Sequence, residues 1–413
     1  MSERLDIPLD IPDVKVEKVE VNKQGDIIIT VRSAVEGTHC HRCGTKITKP
    51  YGHDREITLR HLPILGRKTF IRLRPPRYQC TVCDGQPTTT QRASWYERNR
   101  PHTTAYEIHV LRMLVNSTGS DVAVKEDLGY EAVMGIVNHH IAGEVDWNRL
   151  ERLEEIGIDE IALKKGHKDF VAVVTGRLGD RTEILGVLKD RKKATVKAFF
   201  FSIPKRLRKT VRVICSDLYE GFINAAKEVF GRQVLIVADR FHVARLYRKG
   251  VEKLRQQELK RLKKTLSEEA YKELKGAMWA LRQDEEDLTP EEKALIERLF
   301  QHSPRLKMAY LLSNGLTEVF EQNIPKSKAK REISHWIGLV KRSGLNCFDS
   351  FLSTLRQRRE EITNYFIDRS TSGFVEGLNN KIKVIKRRCY GLLNVKHLFQ
   401  RIYLDLSGYT LFA

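Results

Sequence analysis

No stretch of the 413 residues approaches the ~18 consecutive uncharged apolar residues of a membrane-spanning helix. The opening MSERLDIPLDIPDVK lacks the basic start and apolar run of a signal peptide, so a cytoplasmic place is expected. Internal repeats and low-complexity tracts are missing too, which sets aside solenoids and fibrous chains. Seven cysteines in such a compartment argue against a disulfide framework. Hydrophobic residues make up 41% of the chain, enough for real cores, and the length suggests two or three domains. The net charge is +20, from 73 Lys plus Arg against 53 Asp plus Glu. Nucleic acid is the natural anionic partner, because each neutralised phosphate releases counterions.

Four cysteines form two C-x-x-C pairs, Cys40 with Cys43 and Cys80 with Cys83, separated by 36 residues. Each short turn presents two thiolates, and together they suit tetrahedral Zn²⁺. His39, His41, His53 and His61 are nearby alternatives, but two complete pairs already fill four positions. The stretch between them, EITLRHLPILGRKTFIRLRP, reads as the strands of a zinc ribbon. Cys215, Cys347 and Cys389 read as small core residues.

VKVEKVEV at 14–21 and DIIITVR at 26–32 alternate apolar and polar and predict a β-hairpin around NKQG. Residues 102–146 look helical, with two short amphipathic runs split at Leu128-Gly129-Tyr130. They fit a DNA-binding helix-turn-helix or a plain helical hairpin. From Ile156 the texture becomes three strands, a helix, and two more strands separated by a helix. That pattern predicts a mixed sheet with helices on its faces. Residues 246–366 are nearly all helical and highly charged, with helix starts at Ser267 and at Thr289-Pro290-Glu291-Glu292. The expected divisions are 1–98, 99–150, 151–245 together with 367–413, and 246–366.

Three acids stand out. Asp159 lies inside a strand, where an unpaired carboxylate is costly. Asp217 closes the strand VRVICSD and reads either as a site residue or as a cap on the helix after it. Glu376 sits in the first turn of a helix, where an acid also complements the dipole. Val375, Leu378, Ile382, Ile385 and Cys389 make that helix's core stripe. Glu376 is off the stripe, followed on the same helix by Lys381, Lys383, Lys386, Arg387 and Arg388. Those cations predict phosphate contacts or an ordinary solvated face. Asp239, in VLIVADRFHV, reads as a near-site acid or a cap. His242 reads as a DNA or phosphate contact or as a structural residue.

CHRCG, YQCTVC, GIDEIAL, SDLYEGF, ADRFHV and SGFVEGLNNKIKVIKRRCYGLLNVKHLFQRI resemble the ISL-three family of bacterial insertion-sequence transposases, from about residue 38 to the C-terminus. A departure of note is Cys389-Tyr390, where a smaller residue is expected before the aromatic. The resemblance implies a multidomain α/β protein. A zinc ribbon and a helical DNA-binding segment would precede a ribonuclease-H-like mixed-sheet catalytic core that carries a large helical insertion. It places an Asp-Asp-Glu triad on Asp159, Asp217 and Glu376, holding Mg²⁺ or Mn²⁺ for phosphoryl transfer. It implies binding of terminal inverted repeats, strand cleavage and strand transfer to target DNA. A homodimer or higher oligomer on DNA, in the bacterial cytoplasm at the nucleoid, is expected. The rival readings are a non-catalytic zinc-ribbon regulator and a structure-specific nuclease on the same fold.

Overall fold

The structure, a computed structural model, describes residues 8–9, 11–164, 168–179, 181–283, 287–369, 373–389 and 394–412. Side chains are described for all of these except 163, 164, 168, 169, 373–376 and 379. The chain divides into two units: Met1–Ala142 with Gln400–Ala413, and Gly143–Phe399.

In the first unit the expected hairpin pairs β1 (Val14–Val21) with β2 (Ile27–Ser33). Its turn closes on Asn22, whose Oδ1 accepts from the Gln24 and Asp26 amides, both at 2.9 Å. Gly25 there sits at φ +87°, a conformation open to glycine. The strands β3 (Thr38–His39), β4 (Lys46–Ile47), β5 (Lys49–His53), β6 (Ile57–Ile64), β7 (Arg67–Leu73), β8 (Pro76–Gln79) and β9 (Thr88–Thr90) follow. They build three sheets, ordered β1-β2-β7-β6, β5-β8-β9 and β3-β4. Ile29, Val31, Leu59, Ile71, Leu73 and Trp95 form the core of the largest. Helices α1 (Thr104–Leu114), α2 (Gly119–Glu126) and α3 (Tyr130–His140) come next, the first two capped by Thr103 and Thr118 side chains. The break between α2 and α3 falls at Asp127–Gly129, where the sequence puts it, with Asp127 left-handed at φ +49°.

The second unit opens with β10 (Glu155–Lys164), β11 (Lys168–Leu178) and β12 (Arg181–Leu188). Next come α4 (Lys193–Ser202), α5 (Lys205–Arg208), β13 (Val213–Ser216), α6 (Glu220–Phe230) and β14 (Leu235–Ala238). They make one mixed sheet ordered β12-β11-β10-β13-β14. β11 is antiparallel to both β10 and β12, and β13 and β14 run parallel to β10. VICS and LIVA, the two short parallel strands, are almost wholly buried, as parallel strands covered on both faces must be. Val196, Phe200, Phe222, Ile223 and Ala226, from α4 and α6, pack with Ile156, Ile158 and Val174 of the sheet.

A long helix, α7 (Arg240–Thr265), leaves β14. It is followed by α8 (Glu268–Lys272), α9 (Ala277–Ala280), α10 (Pro290–His302), α11 (Pro304–Glu321), α12 (Lys326–Ser343), α13 (Asp349–Gln357), α14 (Arg359–Thr363) and α15 (Tyr365–Asp368). Ser267 caps α8, and Thr289 with Glu292 forms a full capping box on α10, so both helix starts lie where the sequence marks them. Tyr247, Leu254, Trp336, Phe348 and Phe351 anchor a core that also takes in Val213 and Val237 of the sheet. Then α16 (Gly373–Arg388) packs against β10.

The last helix, α17 (Val395–Leu411), ends in the first unit. There Leu404 joins Val110, Leu111, Val133 and Ile136 in one core. Arg401 donates to the carbonyls of Leu114 and Ser117 and to Asp405, and Asp405 accepts from the Asn116 amide at 3.0 Å. The sequence reading ran the catalytic core on to residue 413; in the structure residues 400–413 cluster with the first unit.

Candidate active site and zinc cluster

Three acids share one row of the mixed sheet. The register pairs Ile158 with Ser216 and Ser216 with Ala238. One residue further along these neighbouring parallel strands stand Asp159, Asp217 and Asp239. Adjacent strands lie ~4.8 Å apart, so the row brings three carboxylates together at the carboxyl end of the parallel strands, the usual place for a site in such sheets. β13 and β14 stop just before their acids, whereas β10 runs on past Asp159.

Local hydrogen bonds fix each acid. The Tyr219 amide donates to Asp217 Oδ1 at 2.9 Å, and the Glu160 amide to Asp159 Oδ1 at 2.7 Å. Asp217 does not cap α6; Tyr219 holds the N-cap position, with no side-chain bond. Asp239 is both a cap and a site neighbour. One of its oxygens accepts from the Phe241 amide at the start of α7, and the other from His242 Nδ1, both at 2.9 Å.

Burial raises the pKa of Asp159, and pushes Asp217 up to about 6. The charge of His242 opposes both shifts, while Asp159 also feels the charges of Asp239 and Glu160, and Asp217 those of Glu160 and Asp159. His242 is raised in turn, chiefly by its bond to Asp239. Desolvated carboxylates crowded together, with one imidazole among them, form a site short of positive charge. An acid whose folded pKa lies above its usual 3.8 destabilises the fold once it must ionise. Below about pH 4 the Asp217 carboxyl is protonated folded or unfolded and has no effect. The penalty grows from there to about 6 and is complete above it, at up to roughly 3 kcal/mol. Asp217→Asn keeps the acceptor for Tyr219 and removes the charge. In EDTA at pH 7.5 this variant should melt a few degrees above the wild type, and at pH 4 the two should coincide. A lower melting temperature at pH 7.5 would contradict the charge-crowding account.

Two residues beside the row escaped the sequence reading. Arg191 Nη1 donates to Glu160 Oε2 at 2.6 Å. Its guanidinium lies over the rings of Phe170 and Tyr219, at 4.8 and 5.1 Å from their centroids. Glu160 holds its pKa above the usual range, and the charge of Asp217 adds to this. Nothing in the local sequence marks this pair, since it joins β10 to the loop after β12.

Glu376 lies in α16, the helix against β10, but its side chain is outside the described residues. Leu378, Ile382 and Ile385 of the expected core stripe are buried; Val375 lies outside the described side chains. Lys383 and Arg387 are exposed, and Lys381 and Arg388 half-buried. Lys386 donates to the Ala162 carbonyl of β10, and burial lowers its pKa. It therefore anchors the helix to the sheet.

The four thiols of the first unit converge. Cys40 and Cys83 have their sulfurs 3.9 Å apart, and Cys43 and Cys80 3.8 Å. A zinc ion bonded to four sulfurs at ~2.3 Å sets them ~3.8 Å apart. All four sulfurs lie within 4.8 Å of one another. Gly44 and Gly85, at φ +73° and +76°, turn the backbone after each pair. The Thr45 hydroxyl leads the lowering of Cys43 to about 6, while Cys43 leads the rise of Cys83 to about 12, as sulfurs sharing too few protons must. The site fits structural Zn²⁺ held by Cys40, Cys43, Cys80 and Cys83. His41 instead meets Thr89 Oγ1 at 3.0 Å, and His61 meets Thr103 Oγ1 at 3.0 Å. Glu107, His139 and His140 also lie close enough to share an ion. Glu107, however, already takes Arg100 at 2.7 Å and His140 at 2.7 Å, a buried ion network of its own.

Comparison with known proteins agrees with this layout. The model of the ISL3 DDE family, described as a transposase, matches residues 156–402, more than half the chain. A zinc finger of transposases IS204/IS1001/IS1096/IS1165 matches residues 36–83. The transposase for insertion sequence element IS1001 of Bordetella parapertussis is 25% identical over 374 residues, covering 89% of each chain. The transposase for IS1557 of Mycobacterium tuberculosis is 24% identical over 424 residues, covering 97% of this chain and 93% of the relative. With its four-cysteine ribbon and the matched region that carries the acid row, the chain belongs to the ISL3 (ISL-three) family of DDE transposases.

Proposed function

We propose that this transposase binds the terminal inverted repeats of an insertion sequence, then cuts and joins DNA strands at Asp159, Asp217 and Glu376. The observation that carries the reading is the shared row of Asp159 and Asp217, with α16, the helix of Glu376, packed against the same strand β10. Three antiparallel strands followed by two parallel ones support a ribonuclease-H-like core. The donor set is all carboxylate, which suits Mg²⁺ or Mn²⁺. The raised pKa of Asp159 and Asp217 is what an absent cation would relieve. Divalent ions, when bound, supply a lowered water pKa and a clamp on attacking and leaving oxygens.

The chain's own groups prepare that site. Asp217, with its pKa of about 6, is mostly ionised at pH 7.5 and available to a cation. His242, its pKa raised by Asp239, and Arg191, paired with Glu160, stand beside the carboxylates, where a scissile phosphate needs charge and orientation. Lys381, Lys383, Arg387 and Arg388 extend positive charge along α16, and Lys386 holds that helix on β10. The proposed divisions are a zinc-ribbon domain at 1–98, a helical DNA-binding segment at 99–150, a catalytic core at 151–245 and 367–399, and a helical insertion at 246–366. Joining two ends calls for a homodimer or larger oligomer, acting at the bacterial nucleoid.

Nicking of labelled DNA carrying the element's own ends, in Mg²⁺ and in Ca²⁺, tests the assignment of the third acid. Glu376→Gln should keep DNA binding and lose Mg²⁺-dependent nicking by about 10³-fold or more, while Asp239→Asn should nick more than Glu376→Gln does. Full cutting by Glu376→Gln together with loss in Asp239→Asn would move the third ligand to Asp239.

A further inference from the structure

A cavity of about 920 Å³ opens in the second unit, with Asp217 and His242 in its lining. It therefore reaches the acid row. Arg191, Leu218 and Tyr219 line it beside Asp217, and the rest of its wall comes from α7 and from the helices around it. Arg245, Arg248 and Lys249, exposed on α7, make no ion pair among the described residues. By contrast Arg255 and Arg282, also in the wall, both pair with Glu252, at 2.6 and 3.5 Å. Leu246 and Leu281 supply apolar surface. Phe241, two residues beyond the acid Asp239, leaves 51% of its surface exposed. A large aromatic ring set open beside a catalytic row contributes little to the fold.

We propose that this cavity receives one unpaired nucleotide of the DNA end, turned out of the duplex beside the scissile phosphate, with its base on Phe241. The proposal rests on the reading of Asp159 and Asp217 as the cutting site. The volume is that of a small-ligand site, ~300–1,000 Å³; it admits a base and its sugar and excludes a duplex. Every base offers a flat apolar face, so an aromatic ring with an apolar wall is the chemistry that holds an extruded base. The unpaired cations of α7 match the phosphates on either side of it. A free mononucleotide offers the same chemistry, so the test must separate the two.

The test uses the full chain and duplexes of the element's end, with an abasic site placed in turn at each nucleotide flanking the cut. Base–aromatic stacking of ~1–3 kcal/mol corresponds to a slowing of roughly 5- to 150-fold, so Phe241→Ala should nick intact DNA more slowly by that factor and bind it as well as the wild type does. At one abasic position the wild type and Phe241→Ala should nick at the same rate, because no base remains to be held. A defect that persists at every abasic position, or no defect on intact DNA, overturns the proposal. A second readout does not need cutting. In Ca²⁺, 2-aminopurine at that position should change fluorescence severalfold on binding, and lose most of the change with Phe241→Ala. Arg245→Gln, on the exposed side of α7, should weaken the same signal without altering the melting temperature. Silence of 2-aminopurine at all positions overturns the proposal, and tight binding of dAMP alone alongside that silence reassigns the cavity to free nucleotides. Wild type that cuts nothing while 2-aminopurine responds would sink the cutting site and leave the cavity standing.

Discussion

Asp159→Asn and Asp217→Asn should each reduce Mg²⁺-dependent nicking at the element's end by about 10³-fold or more, the scale on which central catalytic groups fail. Both should bind DNA as tightly as the wild type, since the first unit and the basic face of α16 are untouched. The argument is electrostatic. Asp159 and Asp217 are desolvated and crowded by neighbouring acids, Asp239 and Glu160 beside Asp159 and Glu160 and Asp159 beside Asp217, which leaves a local deficit of positive charge. Asparagine keeps the size and the backbone hydrogen bonds but offers no charge to a cation. The double variant should be no worse than the single ones, because groups that hold one assembly fail together. Gel-resolved nicking rates at pH 7.5, beside binding measured on the same duplex, check this. Independent, multiplying losses would mean that the two acids do not serve one site.

Removal of zinc should unfold the ribbon outright. Apart from the cysteines, the core around the cluster among the described residues is Ile47 and Tyr78, too little apolar burial to hold so small a module. Structural zinc in such modules is worth about 10–16 kcal/mol of apparent binding energy, which is also folding energy. Cys80 has no exposed surface, so Cys80→Ala removes a ligand and opens a gap at once. This variant should carry no zinc by elemental analysis and be cut by protease between residues 36 and 91. Its binding to DNA ends should fall sharply, while the calorimetric transition of the second unit stays in place. Full zinc content with unchanged protease resistance would contradict the cluster.

Much of this was legible in the sequence because it is local. Two C-x-x-C turns name their metal by spacing, and Gly44 and Gly85 stand where the turns need them. Capping at Ser267 and Thr289 is written within four residues of each helix start. The acids Asp159 and Asp217 were visible as charges placed against strands. Asp239 read as either cap or near-site acid; one of its oxygens caps α7 and the other meets His242. What depends on distant partners was not legible. Glu160 meets Arg191 across 31 residues, and Arg401 reaches the carbonyl of Leu114 across 287. No periodicity announces such pairs. The final helix carries an apolar stripe that fits any core, so its sequence could not say which unit it would join. The cavity beside Asp217 is likewise assembled from α7 and later helices, none of which signals a ligand by itself.

Strand joining tests the central claim most directly. A duplex of the element's end, already nicked to expose its 3′-hydroxyl, is incubated with the protein, supercoiled plasmid and Mg²⁺. The account expects covalent joining of that 3′ end to plasmid DNA, absent in Ca²⁺ and absent with Asp217→Asn. Efficient nicking of intact ends with no joining under any divalent ion would contradict it, and would identify the acid row as that of a nuclease.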